Sequence, residues 1–328
     1  MSVVTVHRRE LMRLVACAFT LPALSRGAQA SAYPARPVRL IVGFPAGGPT
    51  DLAARIVGQW LSERLGQAFV VENRPGAGSN IGTETVIRSP PDGYTLLLAA
   101  SANAINAAAY NRLNFNFIED VAPVAGIMRQ PFAMVVNPAV PAASVAEFIA
   151  YARHNPRKVA MASAGNGTPH HAFGELFKMM TGLELLHVPY RGEAAALTDL
   201  LGRQVQMMFA SVSGTIGYVK AGKLTALAVT TATRAPMLPD IAPVGDFVPG
   251  FDASAWLGIG APRSTPKDII DKLNDEINRC LADPAIEARL SDLGGTALGG
   301  SPEEFGRLIA DDTKKWARVV TLAGIKID

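Results

Sequence analysis

Apolar and polar positions along the chain switch repeatedly between the period of a strand and that of a helix. Val38-Arg39-Leu40-Ile41-Val42 is a short β-branched run and predicts a strand. From Asp51 to Leu65, the residues Leu52, Ile56, Trp60, Leu61 and Leu65 recur at helical spacing, and Gly66 is placed to end that helix. Phe69-Val70-Val71 predicts a second strand, residues 73–80 a glycine-rich loop before a short helix, and residues 94–100 a third strand after the turn Pro90-Pro91-Asp92-Gly93. This β-α-β-α-β order predicts a parallel sheet with helices on both faces.

A second set of the same kind follows. Strands are predicted at 132–136, 158–162, 185–188, 205–209 and 224–230. Ser144 and Glu147 have capping-box spacing and open a helix through Arg153. Thr168-Pro169, Thr265-Pro266 and Ser301-Pro302 each place a capping residue before a proline that suits the first turn. The pattern predicts an α/β protein of two doubly wound domains with a ligand cleft between them. Ligands of such sheets bind beyond the carboxyl ends of the strands, where helices begin.

Composition supports this reading. A length of 328 residues suggests two domains, at roughly 150 residues each. With 49% hydrophobic and 18% charged residues the chain can bury real cores, which excludes disorder as its main state. The expected division is residues 31–130 with 252–328 as a discontinuous first domain, and 131–251 as the second.

Residues 1–30 read as an export signal. Arg8, Arg9 and Arg13 precede the apolar run from Leu14 to Leu24, and Ala28-Gln29-Ala30 is a small-x-small cleavage site. The paired arginines suit a twin-arginine signal as well as a general secretory one, and the sequence leaves both open. Leu14-Val15-Ala16-Cys17 has the form of a lipobox but lies too close to Arg13 to follow a full apolar region. The run is too short to span a bilayer, so the mature chain is not expected to be embedded in a membrane. The segment removes four arginines and one glutamate from totals of 31 basic and 28 acidic residues, leaving the remainder with no net charge. A neutral chain has no long-range field to draw nucleic acid or anionic lipid, so no nucleic-acid partner is expected. Only Cys280 remains beyond the signal, which excludes a disulfide scaffold and predicts a buried thiol.

Several chemistries lack their motifs. The sequence has no HExxH, no CxxC and no calcium-loop pattern, and adjacent His170 and His171 would point about 100° apart on a helix. Ser163 is preceded by Met161-Ala162 and so lacks the first glycine of a nucleophile elbow. Gly43-Phe44-Pro45-Ala46-Gly47-Gly48 lacks the lysine of a phosphate loop and the spacing of a dinucleotide fingerprint. No metal, cofactor or catalytic residue is expected.

Two loops do carry binding chemistry. The first contains Phe44, Ala46, Gly47, Gly48, Thr50 and Asp51 between a strand and a helix. Small residues let backbone N–H groups approach a ligand, and the helix start adds partial positive charge, which together can hold a carboxylate. The alternative is a tight turn in which Asp51 satisfies the helix start. The second loop repeats the design with Ser163, Ala164, Gly165, Gly167, Thr168 and, one turn on, His171. His171 either contacts ligand or faces solvent or a neighbouring strand. Facing one cleft, the loops could grip both ends of a dicarboxylate. Ser79 and Asn80, Ser101, Tyr190 and Ser211 are supporting candidates in other strand-to-helix loops.

These residues resemble the Bug solute-binding proteins of tripartite tricarboxylate transport systems. The likeness runs from Tyr33-Pro34 through the Gly43–Asp51 loop, Asn73-Arg74-Pro75-Gly76-Ala77-Gly78, Pro91-Asp92-Gly93-Tyr94 and the Ser163–His170 loop. It continues to Ala221-Gly222-Lys223-Leu224, Leu227-Ala228-Val229-Thr230 and Trp256-Leu257-Gly258. Ala210-Ser211 and Arg191 depart from the acidic or amide residue and the lysine usual in that family, which leaves the ligand open. The resemblance implies a periplasmic binding protein type II-like fold and a monomer that captures a small mono- or dicarboxylate, aliphatic or aromatic, for a pair of membrane permease subunits. It implies ligand contacts from Ala46, Gly47, Gly48, Thr50 and Asp51 and from Ser163, Gly165, Gly167 and Thr168. Two alternatives share the cleft: a sensor that presents its liganded form to a membrane histidine kinase, and an enzyme acting on a carboxylate.

Overall fold

The computed structural model describes residues 33–110 and 112–325. The export segment expected at residues 1–30 lies outside them. From Arg36 onward the chain forms one compact unit built on two sheets.

In chain order, β1 (Val38–Val42) leads through a glycine loop to α1 (Pro49–Leu65), then β2 (Phe69–Asn73), α2 (Asn80–Ile87), β3 (Thr95–Ala100) and α3 (Ser101–Ala109). The short α4 (Phe117–Asp120) precedes β4 (Val121–Gln130), and Pro131 alone separates β4 from β5 (Phe132–Val136). There follow α5 (Val145–His154), β6 (Ala160–Ser163), α6 (Pro169–Thr181), β7 (Leu186–Pro189), α7 (Glu193–Leu201), β8 (Met207–Ser211), α8 (Val212–Lys220) and β9 (Thr225–Val229). The chain then returns through β10 (Ala255–Pro262) to α9 (Lys267–Leu281), α10 (Pro284–Asp292), β11 (Thr296–Ala297) and the C-terminal α11 (Pro302–Ala323).

The first sheet has the order β11-β4-β10-β3-β1-β2 and the second β7-β6-β8-β5-β9. The expected parallel sheets are therefore mixed. In each, three strands in βαβ succession are parallel, and one strand delivered from the other sheet is inserted antiparallel: β10 against β3, and β5 against β8. Neither β4 nor β10 stands out in the sequence pattern. Both are rich in Ala, Gly and Pro and buried on both faces, so they show no alternation. Gly258 is required in β10 because a Cβ there would stand 2.1 Å from Cζ of Phe305.

The inserted strands fix how the two sheets meet. Gln130, at the carboxyl end of β4, pairs with Ala255 at the start of β10, and Leu257 pairs with Ala100 at the carboxyl end of β3. Phe132, one residue beyond Pro131, pairs with Ser211 at the carboxyl end of β8. Both crossovers thus join the carboxyl edge of one sheet to the carboxyl edge of the other. Thr230 ties them together. Its N–H donates to the Phe132 carbonyl at 2.8 Å, its Oγ1 accepts from the Phe132 N–H at 3.0 Å, and its carbonyl accepts from Ala253 at 2.8 Å.

Helix α11 packs on α3 beside the first sheet and on α6 beside the second. Phe173 of α6 stacks on Trp316 of α11 with centroids 5.3 Å apart. Trp256 meets Phe305 edge to face, and its indole N–H donates to Asp312 at 2.7 Å. In α1 the buried face is Ala53, Ala54, Ile56, Val57 and Leu61, while Leu52 of the expected stripe is exposed. Gly58 lies on this buried face against β2, where a Cβ would stand 3.4 Å from the Phe69 carbonyl oxygen. Ser301 and Glu304 form the expected reciprocal cap, and Gly66 ends α1 at φ 71°. The expected caps at Thr168 and Thr265 are not made: each hydroxyl donates backward to a carbonyl, Gly165 and Pro262 respectively. Cys280 is fully buried, and burial pushes its thiol pKa up to about 12.

Replacing Thr230 by Val keeps its shape but leaves the buried Phe132 N–H without its side-chain acceptor. The expected cost is about 1–3 kcal/mol in a urea melt with unchanged slope.

Candidate functional site

Strands β1, β2 and β3 are parallel, so α1, α2 and α3 all begin on one edge of the first sheet. Strands β6, β7 and β8 do the same for α6, α7 and α8 on the second. The crossovers bring these edges face to face, and every residue expected to bind ligand lies along one of them.

On the first edge, residues 43–48 form an open loop in which Ala46 and Gly47 are exposed and Phe44, Gly48 and Thr50 half-buried. Gly47 adopts φ 85°, a left-handed conformation that favours glycine. Gly48 caps α1 without a side chain, so the first-turn N–H groups of Thr50 and Asp51 have no acceptor within the helix. Asp51 is only 2% exposed and turned inward. Its carboxylate accepts from Gly47 N–H at 2.9 Å, from Arg55 Nε and Nη2 at 2.9 and 3.0 Å, and from Asn73 Nδ2 at 2.9 Å. The Asn73 amide also donates to the Phe44 carbonyl at 3.0 Å. Burial works to raise the pKa of Asp51, but these donors outweigh it and hold the carboxyl below its ordinary range. Asp51 is thus the brace of the loop, and it takes the Gly47 N–H that the sequence reading offered to ligand.

Behind the loop, the Ser79 side chain lies directly over Gly43, where a Cβ would stand 2.0 Å from the hydroxyl oxygen. Ser79 Oγ, Asn80 Nδ2, Ser101 Oγ and Asn106 Oδ1 are buried and make no hydrogen bond. Four unmatched polar atoms, three at the starts of α2 and α3 and one further along α3, are unusual, because buried polar groups are normally paired. Ser79, Asn80 and Ser101 were anticipated. Asn106 was not, since it sits a full turn inside α3.

On the second edge, Gly165 and Gly167 take φ of 126° and 72° in a loop held from inside. Ser163 Oγ is 2.7 Å from His187 Nε2 and accepts from Gly165 N–H at 3.2 Å. Thr168 Oγ1 donates to the Gly165 carbonyl at 2.7 Å. The Gly167 N–H points to His171 Nδ1 at 3.4 Å, and the His171 ring stacks on His187 with centroids 3.9 Å apart. The side chains of Ser163, Thr168 and His171 therefore shape the loop from inside, and Ala164, Gly165 and Asn166 are the part of it that remains open to the outside. Tyr190 contributes in the same way. Its N–H donates to the Ser163 carbonyl at 2.9 Å, while its phenol donates to Asp199 at 2.7 Å. A polar cavity of about 270 Å³ adjoins this loop, lined by Asn166, His171, Glu175, Lys178 and His187 beside the end of α11.

Two further residues, His170 and Glu193, come together at the starts of α6 and α7. Ser211 caps α8, accepting from Gly214 N–H at 3.1 Å, and donates to Glu193 through both its N–H and its hydroxyl. Burial works to raise the Glu193 pKa; His170 and Ser211 reverse this and hold it below the ordinary value. The only local sequence signal is an acidic residue at the first position of a helix, which elsewhere marks nothing more than a favourable dipole.

The fold and the paired edges define a two-lobed solute-binding protein. The family model described as "Tripartite tricarboxylate transporter family receptor" matches residues 53–325. The chain belongs to that family. It is 34% identical to the protein BugT of Bordetella pertussis over 327 residues, covering 98% of this chain and all of BugT. Among solved structures, the R. palustris protein Rpa4515 with adipate superposes with a TM-score of 0.84 at 36% identity, covering 90% of this chain and 99% of that one. The periplasmic binding protein BugD gives 0.81 at 34%, covering 90% and 99%. Rhodopseudomonas palustris MatC with bound malate gives 0.81 at 29%, covering 88% and all of that chain. The family is one of receptors and BugD is a periplasmic binding protein, and this chain is a solute-binding receptor rather than an enzyme.

Burial pulls the His171 pKa down to about 3, helped by His187 and Lys178, and that of His187 to about 4, helped by Lys178. Glu175 faces His171 at 3.8 Å without reversing this. Both rings are neutral in the folded protein, so their contribution to stability is complete above the unfolded value of about 6.5. It is lost as pH falls from there toward 4, by up to about 1.4 kcal/mol per pH unit for each ring. Chemical denaturation across pH 7 to 4 should show this slope, and His187→Gln should flatten it.

Proposed function

We propose that this receptor captures a small carboxylate between its two sheet edges and hands the liganded form to the membrane permease subunits of a tripartite tricarboxylate-type transporter. The observation that carries the reading is the confrontation of two glycine loops, each at a helix start without a side-chain cap, with unmatched buried hydroxyl and amide groups beside one of them. Helix starts and oriented N–H groups stabilise an anion without a cation. Arg55, beside the first loop, is engaged by Asp51. The related structures solved with adipate and malate support a carboxylate ligand.

In this reading the ligand touches Ala46, Gly48 and Thr50 with Ser79, Asn80, Ser101 and Asn106 on one side, and the backbone of 163–168 with Ser211 on the other. The moving bodies are the residues up to 130 with those from 252 onward, and residues 131–251. They turn about Pro131 and the segment after Thr230. The receptor acts in the periplasm as a monomer after residues 1–30 have been removed.

A thermal-shift screen of mono- and dicarboxylates on the chain without residues 1–30 tests this. A true ligand at 100 times its Kd should stabilise by about 2.7 kcal/mol; a folded, empty protein that no acid shifts would refute the reading. Ser101→Ala gives a sharper test. Removing an unmatched buried hydroxyl should leave the empty protein as stable or more so, while the loss of a hydrogen bond to a charged ligand should weaken binding by about 1.5–3 kcal/mol, read by calorimetry.

A further inference from the structure

The second sheet edge carries a group that carboxylate capture leaves unused. Glu193 opens α7, but its carboxylate reaches to the start of α8. There the Ser211 N–H donates to Oε1 at 2.6 Å, and the Ser211 hydroxyl lies 2.8 Å from both Oε1 and Oε2. An ionised carboxylate offers about four acceptor positions, and a hydroxyl proton serves one at a time. Two donors are thus present for about four positions. His170 Nε2 stands 3.6 Å from Oε1, beyond hydrogen-bond reach. His170 is 9% exposed, and neither of its ring nitrogens has a hydrogen-bond partner. The Glu193 side chain keeps 18% of its surface open, so the cluster is accessible from outside.

If Glu193 served only to cap α8, the polar groups around it would be matched like those around Asp51. Instead half of the carboxylate's acceptor capacity lies beside a buried imidazole that is within ion-pair range at 3.6 Å yet makes no hydrogen bond through either ring nitrogen. The edge on which they lie is the one that faces the first glycine loop. An alkyl group placed here would leave them buried and unpaired. A second carboxylate would meet the Glu193 charge at short range, where like charges strongly disfavour joint ionisation. A hydroxyl or an ammonium would complete the set.

We propose that Glu193 and His170 form a second ligand subsite, one that selects carboxylates bearing a hydrogen-bond donor, hydroxyl or ammonium, at a distance from the captured acid group. This rests on the carboxylate reading above and adds the chemistry of the ligand's other end. Sites built to bond a hydroxyl or amine reject analogues that lack it far more strongly than apolar pockets reject a change of size.

The test is a matched series measured by calorimetry on the chain without residues 1–30: butyrate, 4-hydroxybutyrate, 4-aminobutyrate and succinate, with the same four end groups on chains one carbon shorter and one longer. At the chain length that fits, the hydroxy or amino acid should bind at least tenfold tighter than the alkyl acid or the diacid. Glu193→Gln should cut an ammonium preference at least tenfold, leave a hydroxyl preference largely in place and improve binding of the diacid. A diacid or alkyl acid preferred at every length overturns the proposal, and that ranking needs only the unmodified protein. An order unchanged in Glu193→Gln overturns it as well. If acids bind without regard to the end group, only this inference fails. If none binds at any length, the carboxylate reading fails and takes this one with it.

Discussion

One residue, Pro131, is too little chain to turn a strand around. A strand that leaves the first sheet at its carboxyl edge must therefore enter the second at the same kind of edge and run against the strands already there. The return from β9 to β10 is long enough to run otherwise, but Thr230 bonds it to Phe132 and to Ala253 and so binds the two passages into one strip. Everything that recognises a ligand depends on this. Helix starts gather at carboxyl edges because a parallel βαβ unit leaves them there, and antiparallel insertion turns the two edges toward each other.

The two glycine loops do the same task with different supports. In the first, a charged brace is used: Asp51 gathers Gly47, Arg55 and Asn73, and its own charge is balanced by the guanidinium. In the second, neutral imidazoles back the loop, because burial disfavours a protonated ring and the neighbouring Lys178 disfavours it further. Either support spends side chains on shape and takes the glycine N–H groups of the loop with it, Gly47 for Asp51 and Gly165 and Gly167 for Ser163 and His171, leaving the first-turn N–H groups of the helix behind each loop. A carboxylate is well served by such a surface, since several weak oriented dipoles match its spread charge without the desolvation cost of a buried cation. Selectivity then has to come from elsewhere in the cleft, and the Glu193 cluster is the place where side chains are still unspent.

Much of this was legible along the chain. The strands from β1 to β3 and from β5 to β9 follow from β-branched or apolar runs between glycine and proline turns. The loops at 43–51 and 163–171 follow from small residues ahead of a proline-started helix. Strands β4 and β10 and helix α3 were hidden because alanine and glycine, buried on all sides, carry no periodic signal. Threonine before proline misled twice, at Thr168 and Thr265, because a tight turn offered each hydroxyl a carbonyl closer than the helix N–H groups.

What the sequence by itself determined is local: which segments extend, which coil, and where a helix start lies bare behind glycine, since those depend on neighbours a few residues apart. The roles of individual side chains were decided only by tertiary structure. Asp51 looks the same in sequence whether it meets a ligand or braces its own loop, and the choice rests on Asn73, 22 positions away. His170, Glu193 and Ser211 lie on three different helix starts, and only the parallel order of β6, β7 and β8 sets them side by side. Hydrogen-bond satisfaction is a property of that assembled edge, so no reading of neighbours along the chain can supply it.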